Sequence, residues 1–125
     1  MFHGAGHGAS NFNIIGLSNW NTSRVTNMEN MFCSAGHNAT TWNIGDLSTK
    51  VVTINGETYT AWDTSAVINM KDMFTGAGNK ANSFVLDLSK WDVSSVTDMS
   101  FMFAYAGCNA TTWNIGDLSN WNTAK

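Results

Sequence analysis

A repeat of fixed internal order constrains the fold of this chain more than any other feature. A Met-Phe pair occurs four times, at residues 1, 31, 73 and 102 of 125. Each pair is followed by Ala-Gly, an aromatic residue, Leu-Ser and a tryptophan. Units of this length bury their apolar residues by packing on one another. We therefore divide the chain into four repeats, at residues 1–30, 31–72, 73–101 and 102–125.

The large apolar side chains occupy fixed positions within the repeat. A Val-x-x-Met segment follows the tryptophan in the first three repeats. With this column included, every Trp, every Met and every Phe except Phe101 has a fixed position in the repeat. An exposed Trp can stack on a sugar or a base, but a column kept in every repeat is explained more economically as interior packing. The predicted core consists of Trp20, Trp42, Trp62, Trp91, Trp113, Met28, Met70, Met99, Phe32, Phe74 and Phe103.

An insertion lengthens the second repeat. Leu47 and Trp62 are 15 residues apart, whereas Leu17 and Trp20, the equivalent residues of the first repeat, are 3 apart. The inserted segment carries Asn-Gly between two runs of β-branched and aromatic residues, which is typical of a two-residue hairpin turn. We predict a β-hairpin insertion at residues 49–61.

The remaining elements are predicted from local patterns. We expect a short strand near each Leu-Ser, a second extended piece at each Val-x-x-Met, and a helical turn that starts at each Met-Phe. The spacing of Val25, Met28, Met31 and Phe32 suits one buried face of a helix. Together these elements predict a repeat solenoid, a stack of four short β-strand, turn and helical-turn coils, with neighbouring strands about 4.7–4.9 Å apart.

Charge excludes some partners. Charged residues make up 12% of the chain and the net charge is −3, so the polar surface is mainly Asn, Ser, Thr and Gly. This balance argues against binding to nucleic acid or anionic membranes. No apolar run approaches the roughly 20 residues that cross a bilayer, so we predict no transmembrane segment. Cys33 and Cys108 are predicted to be free thiols.

The acidic residues do not suggest catalysis. Asp46 and Asp117 share one repeat column, and Asp63 and Asp92 share another. Carboxylates repeated in this way, next to small hydroxylic residues, usually stabilise turns. No phosphate loop, zinc-protease motif or Ser-His-Asp signature is present. We therefore expect no enzymatic activity and no cofactor.

Two histidines of the first repeat and a Cys-His pair of the second are the candidate zinc ligands. His3 and His7 have the same spacing as Cys33 and His37 in the next repeat, so stacking would bring four zinc-type ligands together. The third and fourth repeats do not keep both ligands, so the repeat does not require a metal. Solvated loop side chains are the favoured interpretation.

Both ends of the sequence fall inside a repeat. Met1 occupies the Met-Phe column, and Lys125 ends the sequence before the fourth repeat reaches its Val-x-x-Met position. Exposed strand edges and apolar columns recruit partners. We expect either further repeats in a longer parent chain or head-to-tail self-association.

The pattern Leu-Ser-x-Trp-Asn/Asp-x-Ser-x-Val-Thr-x-Met-x-x-Met-Phe occurs at residues 17–32 and 88–103. It resembles the repeats of BspA-like leucine-rich bacterial surface proteins. The resemblance implies a leucine-rich-repeat-like solenoid at the cell surface or outside the cell, with a non-catalytic role in adhesion or in binding an unknown protein or glycan. The alternative is a structural unit of a surface filament, sheath or virion that assembles end to end. No ligand-binding residue is implied.

Overall fold

Regular secondary structure forms a small part of the computed structural model, which describes residues 1–123. The strands are three to five residues long, and the helix content of these residues is one three-residue 3-10 helix at Leu17–Asn19. The strands are β1 (Asn11–Asn13), β2 (Thr41–Asn43), β3 (Lys50–Ile54), β4 (Glu57–Ala61), β5 (Ser83–Val85) and β6 (Thr112–Asn114).

The strands form three separate two-stranded sheets. β1 pairs in parallel with β2, and β5 pairs in parallel with β6, whereas β3 and β4 are antiparallel. In each parallel pair the aromatic column is in register, with Phe12 opposite Trp42 and Phe84 opposite Trp113. Neighbouring repeats therefore meet at equivalent positions, but within residues 1–123 no sheet runs through all four repeats.

The predicted leucine-rich-repeat-like solenoid is wrong. That fold needs a strand from every repeat in one continuous parallel sheet, whereas the described residues form separate two-stranded sheets and irregular turns. The strands also lie elsewhere in the repeat. They form around the aromatic column, where Phe12, Trp42 and Phe84 are buried between exposed neighbours, and Leu17 instead begins the 3-10 helix. Each Val-x-x-Met segment contributes only an isolated bridge, at Asn27, Asn69 and Asp98.

Left-handed residues explain why the Met-Phe segments are not helical. Around the second Met-Phe pair, φ is 59° at Asn30, 58° at Ser34 and 59° at Gly36. A right-handed helix cannot pass through such residues, because every residue of it needs negative φ. The apolar spacing that suggested a helical face instead reflects consecutive tight turns. In one of these turns the Ala35 N–H donates to the Phe32 carbonyl at 3.0 Å.

Between these turns, the intervening amides bind the next repeat. The Phe32 and Ser34 N–H groups donate to the carbonyls of Met73 and Thr75 at 2.8 and 2.7 Å. The Phe74 N–H donates in the same way to the Met102 carbonyl. Backbone hydrogen bonds thus join successive repeats without forming regular strands.

Two aromatic ladders, each of one residue type, run through the interior beside a mixed column of Trp42, Phe84 and Trp113. Rings of the tryptophan ladder are 6.2 and 5.9 Å apart, and rings of the phenylalanine ladder are 5.3, 5.3 and 5.5 Å apart. The indole N–H groups of Trp62 and Trp91 donate to the Leu17 and Leu47 carbonyls at 2.7 and 2.8 Å. The ladders consist of Trp20, Trp62 and Trp91, and of Phe2, Phe32, Phe74 and Phe103.

The residues predicted to form the core differ in burial. Trp20, Met99 and Phe103 are half-buried and pack against the core. Trp113 is 44% exposed, because its ring stacks on Phe84 but no further repeat covers it among the described residues. The buried members are Trp42, Trp62, Trp91, Met28, Met70, Phe32 and Phe74.

The inserted segment forms a hairpin. β3 and β4 are joined by Asn55 and Gly56, whose φ angles of 52° and 79° suit the type I′ turn that matches strand twist. Val52 and Tyr59 pack against the core, and the Tyr59 hydroxyl donates to the Asn19 carbonyl. The other face of the hairpin is open to solvent.

Candidate functional site

An open groove of about 620 Å³ crosses the turns of the second, third and fourth repeats. We term it the Asx groove, after the aspartate and asparagine turns at its rim. Its floor includes Val85, which is 52% exposed, and Leu86, which is buried. It is lined by Gly45, Asp46, Ser48, Val85, Leu86, Asp87, Ser89, Asn114, Gly116 and Asp117.

Each groove carboxylate is fixed by its own backbone. Asp46, Asp87 and Asp117 accept hydrogen bonds from the N–H of the serine two residues later, at 2.8, 3.1 and 2.9 Å. A short polar side chain favours this Asx turn because its oxygen reaches an amide two residues ahead. The three carboxylates are therefore held in defined orientations along the groove.

Hydrogen bonding favours the ionised form of Asp46 and Asp117. The Ser48 hydroxyl, with the Ser48 N–H and the Lys50 ammonium, lowers the pKa of Asp46 from 3.8 to about 2 against an opposing effect of partial burial. The Lys50 nitrogen lies 3.0 Å from the Asp46 carboxylate. The backbone N–H of Ser119 is the main cause of a lowered pKa at Asp117. The groove is therefore negatively charged at neutral pH.

Acid should weaken the fold through these turns. The pKa of Asp46, Asp92, Asp98 and Asp117 is lowered in the folded chain. A lowered folded pKa stabilises the fold above the unfolded pKa, and this stabilisation is lost as the pH falls through the folded pKa. Between about pH 4 and pH 2, the free energy of unfolding should therefore fall.

Replacing all four aspartates with asparagine should flatten this pH dependence. Asn21 already makes the same turn, so the variant keeps the acceptor oxygen and loses the titration. Denaturant unfolding of both proteins at several pH values between about 2 and 5 measures the effect. Parallel curves for the two proteins would show that other groups cause the acid sensitivity.

Sequence reasoning found only two of the three groove carboxylates. Asp46 and Asp117 were recognised as one column, but Asp87 was missed because the third repeat is one residue shorter before it. The shared Asp-Leu-Ser tripeptide, which begins at all three residues, is the signal that identifies the set. Of the other aspartate column, Asp63 and Asp92 also form Asx turns, with Ser65 and Ser94.

The zinc candidates are only partly brought together. The His7 and His37 rings stack 4.9 Å apart, so equivalent columns of neighbouring repeats do meet. The His37 Nδ1 atom makes a hydrogen bond with the neighbouring Asn38 side chain. Within residues 1–123, no cluster of three or more His, Cys, Asp or Glu side chains has the geometry to hold a metal. His3 and Cys33 therefore do not complete a four-ligand zinc site.

The arrangement suits polar recognition. Carboxylates accept hydrogen bonds from hydroxyl or amide groups, and the Asn114 side chain provides both donors and acceptors. The exposed Val85 side chain offers an apolar surface between them.

In the part of the chain that the structure describes, no helix has the length and apolar character needed to cross a membrane.

Comparison with known proteins identifies a family. A family profile described as "Mycoplasma protein of unknown function, DUF285" matches residues 1–54 and 43–125, which together span the whole chain. No curated protein and no solved structure matches the chain. This family is grouped with the BspA-like repeats, which confirms the resemblance to BspA-like repeats. The leucine-rich-repeat fold that the resemblance implied is not confirmed. The chain belongs to the DUF285 family.

Proposed function

We propose that this chain is a non-catalytic binding module, displayed at the cell surface or outside the cell, that mediates adhesion by binding a glycan. One observation carries the proposal. Most of the tryptophan and phenylalanine side chains are buried or half-buried between repeats, whereas the outer surface repeats small polar turns. Such a scaffold presents hydrogen-bonding groups in a fixed array.

The rigidity of the turns supports recognition. The rim carboxylates of the Asx groove are oriented by backbone hydrogen bonds before any ligand arrives. Groups that are already ordered lose less conformational entropy on binding. A modest set of contacts can therefore give useful affinity.

The chemistry of the groove favours a neutral, hydroxyl-rich ligand. The carboxylates of Asp46 and Asp117 repel acidic groups and accept hydrogen bonds from hydroxyls. The C–H face of a sugar ring can pack on Val85, which is 52% exposed. A neutral glycan combines both features, and an extended protein segment is the competing ligand class.

The experiment compares two matched surface variants on a panel of immobilised neutral glycans and matrix proteins. Val85→Arg places a long charged side chain on the groove floor, and Ile68→Arg does the same at a residue of similar exposure, 51%, that does not line the groove. We expect glycan binding that falls at least about tenfold in Val85→Arg and persists in Ile68→Arg. Binding to proteins alone, or binding lost equally in both variants, would overturn the proposal.

A second candidate function is a structural unit that assembles end to end. The observation that favours it is an apolar cavity of about 160 Å³ on the first repeat, beside Met1, Trp20, Val25 and Met28. In later repeats the tryptophan column is covered on this side by the preceding repeat, so the occupant proposed here is a further repeat of the same kind. Sedimentation at rising concentration tests it. Wild-type filaments that disappear in Val25→Asp would support end-to-end assembly. A wild-type chain that forms no filaments would contradict it and leave the binding module as the proposed function.

A further inference from the structure

The β3-β4 hairpin has two free edges. Among the described residues, no backbone N–H or C=O group of β3 or β4 makes a hydrogen bond outside the hairpin. The hairpin is held to the body of the protein by side chains, including Tyr59, whose hydroxyl binds the Asn19 carbonyl. Unpaired strand edges are templates for another strand.

The register shows which groups point outward. Ile54 is opposite Glu57 across the two-residue turn, and bonded and non-bonded pairs alternate from there. Val51 and Thr53 are therefore in non-bonded pairs, so their N–H and C=O groups point away from β4. The Val51 side chain is also 70% exposed, the largest exposed fraction of an apolar side chain in the hairpin.

The outer edge of β3 lacks the features that usually block edge pairing. Proteins protect edges with prolines, bulges, inward-pointing charges or a covering segment. This chain contains no proline. The charged residue of β3 is Lys50, at the first position, where it binds Asp46 at 3.0 Å. The edge of β4 is less open, because its last residue, Ala61, is fully buried.

We propose that β3 pairs antiparallel with β3 of a second copy of this chain, about a two-fold axis at Val52. In this register Val51 lies opposite Thr53 of the partner subunit, and their outward amides and carbonyls exchange both hydrogen bonds. By symmetry the contact contains two such pairs. The result is a four-stranded sheet made of two hairpins.

Side-chain pairing fits the same register. Val52 lies opposite Val52 of the partner subunit, and Lys50 lies opposite Ile54 of the partner subunit, so like charges do not face each other. β-Branched pairs across strands stabilise a sheet, and an isologous contact closes as a dimer. This contact goes beyond the proposed glycan site, because it joins copies of the module through a surface outside the Asx groove.

Five paired residues form a small interface. Interfaces below about 1,200 Å² are weak, so we expect association in the range of roughly tens to hundreds of micromolar. Copies held on one surface have a high effective concentration, which makes a weak contact sufficient there.

The first test is sedimentation of the full 125-residue chain from about 5 to 500 µM, with two matched proline variants. Thr53→Pro removes an outward N–H from β3, and Thr58→Pro removes its counterpart from β4, while neither N–H bonds within the hairpin. We expect a monomer-dimer equilibrium that Thr53→Pro weakens at least about tenfold and Thr58→Pro leaves nearly unchanged. Unfolding curves establish that both variants fold.

The second test is chemical and does not rely on proline. With Cys33 and Cys108 replaced by alanine, Val52→Cys should form a disulfide-linked dimer under mild oxidation, because non-bonded antiparallel pairs have Cα atoms about 4.5 Å apart. Thr58→Cys is the control and should remain monomeric. A wild-type chain that stays monomeric throughout, or dimers that resist Thr53→Pro, would overturn the proposal. So would equal cross-linking at both positions.

Discussion

Replacing Trp62 with alanine is expected to lower the free energy of unfolding by about 3–5 kcal/mol. Trp62 is fully buried, and its ring stacks between Trp20 and Trp91 at 6.2 and 5.9 Å. Alanine would leave a cavity between two repeats. It would also remove the donor to the Leu17 carbonyl, which the indole N–H binds at 2.7 Å. Denaturant unfolding of the variant measures the loss.

Trp113→Ala provides the comparison. Trp113 is 44% exposed, so its removal creates less cavity and should cost less than half as much as removal of Trp62. A Trp62→Ala variant with full stability and impaired ligand binding would show that the tryptophan column is a ligand platform. Equal losses in the two variants would show that burial does not decide their contributions.

Gly36→Ala is expected to lower the free energy of unfolding by about 2–4 kcal/mol. Two causes add. Gly36 has a φ of 59°, where a side chain costs about 1 kcal/mol or more. A Cβ atom there would also lie 2.7 Å from ring atoms of both Phe12 and Trp42, so the packed aromatic column would have to move.

Gly4→Ala separates these two causes. Gly4 has a similar φ of 69°, but a Cβ atom there would meet nothing within 4 Å. Its substitution should cost only the backbone strain, about 1 kcal/mol. Both variants are measured by thermal and denaturant unfolding. If the two substitutions cost the same, the close approach of Gly36 to the rings contributes nothing to stability.

The sequence contains the positions of the large side chains but not the backbone between them. Trp62 and Trp91 recur in a column, and a recurring column in stacked repeats places its members beside one another. The hairpin position is also readable, because Asn55-Gly56 combines turn chemistry with β-branched flanks. Both signals depend on residue identity at fixed spacing.

The helical turns were wrong because apolar spacing does not determine the sign of φ. Residues three apart share a face in a helix and also in consecutive tight turns. Glycine indicates left-handed positions, but Ser34, Phe101 and Tyr105 adopt them as well, with φ of 58°, 57° and 59°. Hydrogen bonds hold these residues in conformations that their own preferences disfavour. The Ser34 N–H binds the Thr75 carbonyl, and the Phe101 and Tyr105 carbonyls accept from the Thr75 and Asn79 side chains.

The candidate site was harder to predict than the core. The Asx groove depends on Asp46, Asp87 and Asp117 lying side by side, and a one-residue difference in repeat length conceals Asp87. The zinc candidates show the converse. The His7 and His37 rings do stack, but equivalent positions in neighbouring repeats do not by themselves direct their nitrogen atoms towards one metal ion.

The central claim is that amides in the left-handed Met-Phe turns join each repeat to the next. Residue-resolved hydrogen exchange by NMR tests it most directly. The Phe32, Ser34 and Phe74 amides, which bind carbonyls of the next repeat, should exchange only through global unfolding. At dilute concentration, the outward amides of Val51 and Thr53 should exchange quickly. Fast exchange at Phe32, Ser34 and Phe74, in a chain whose strand amides are protected, would contradict the account.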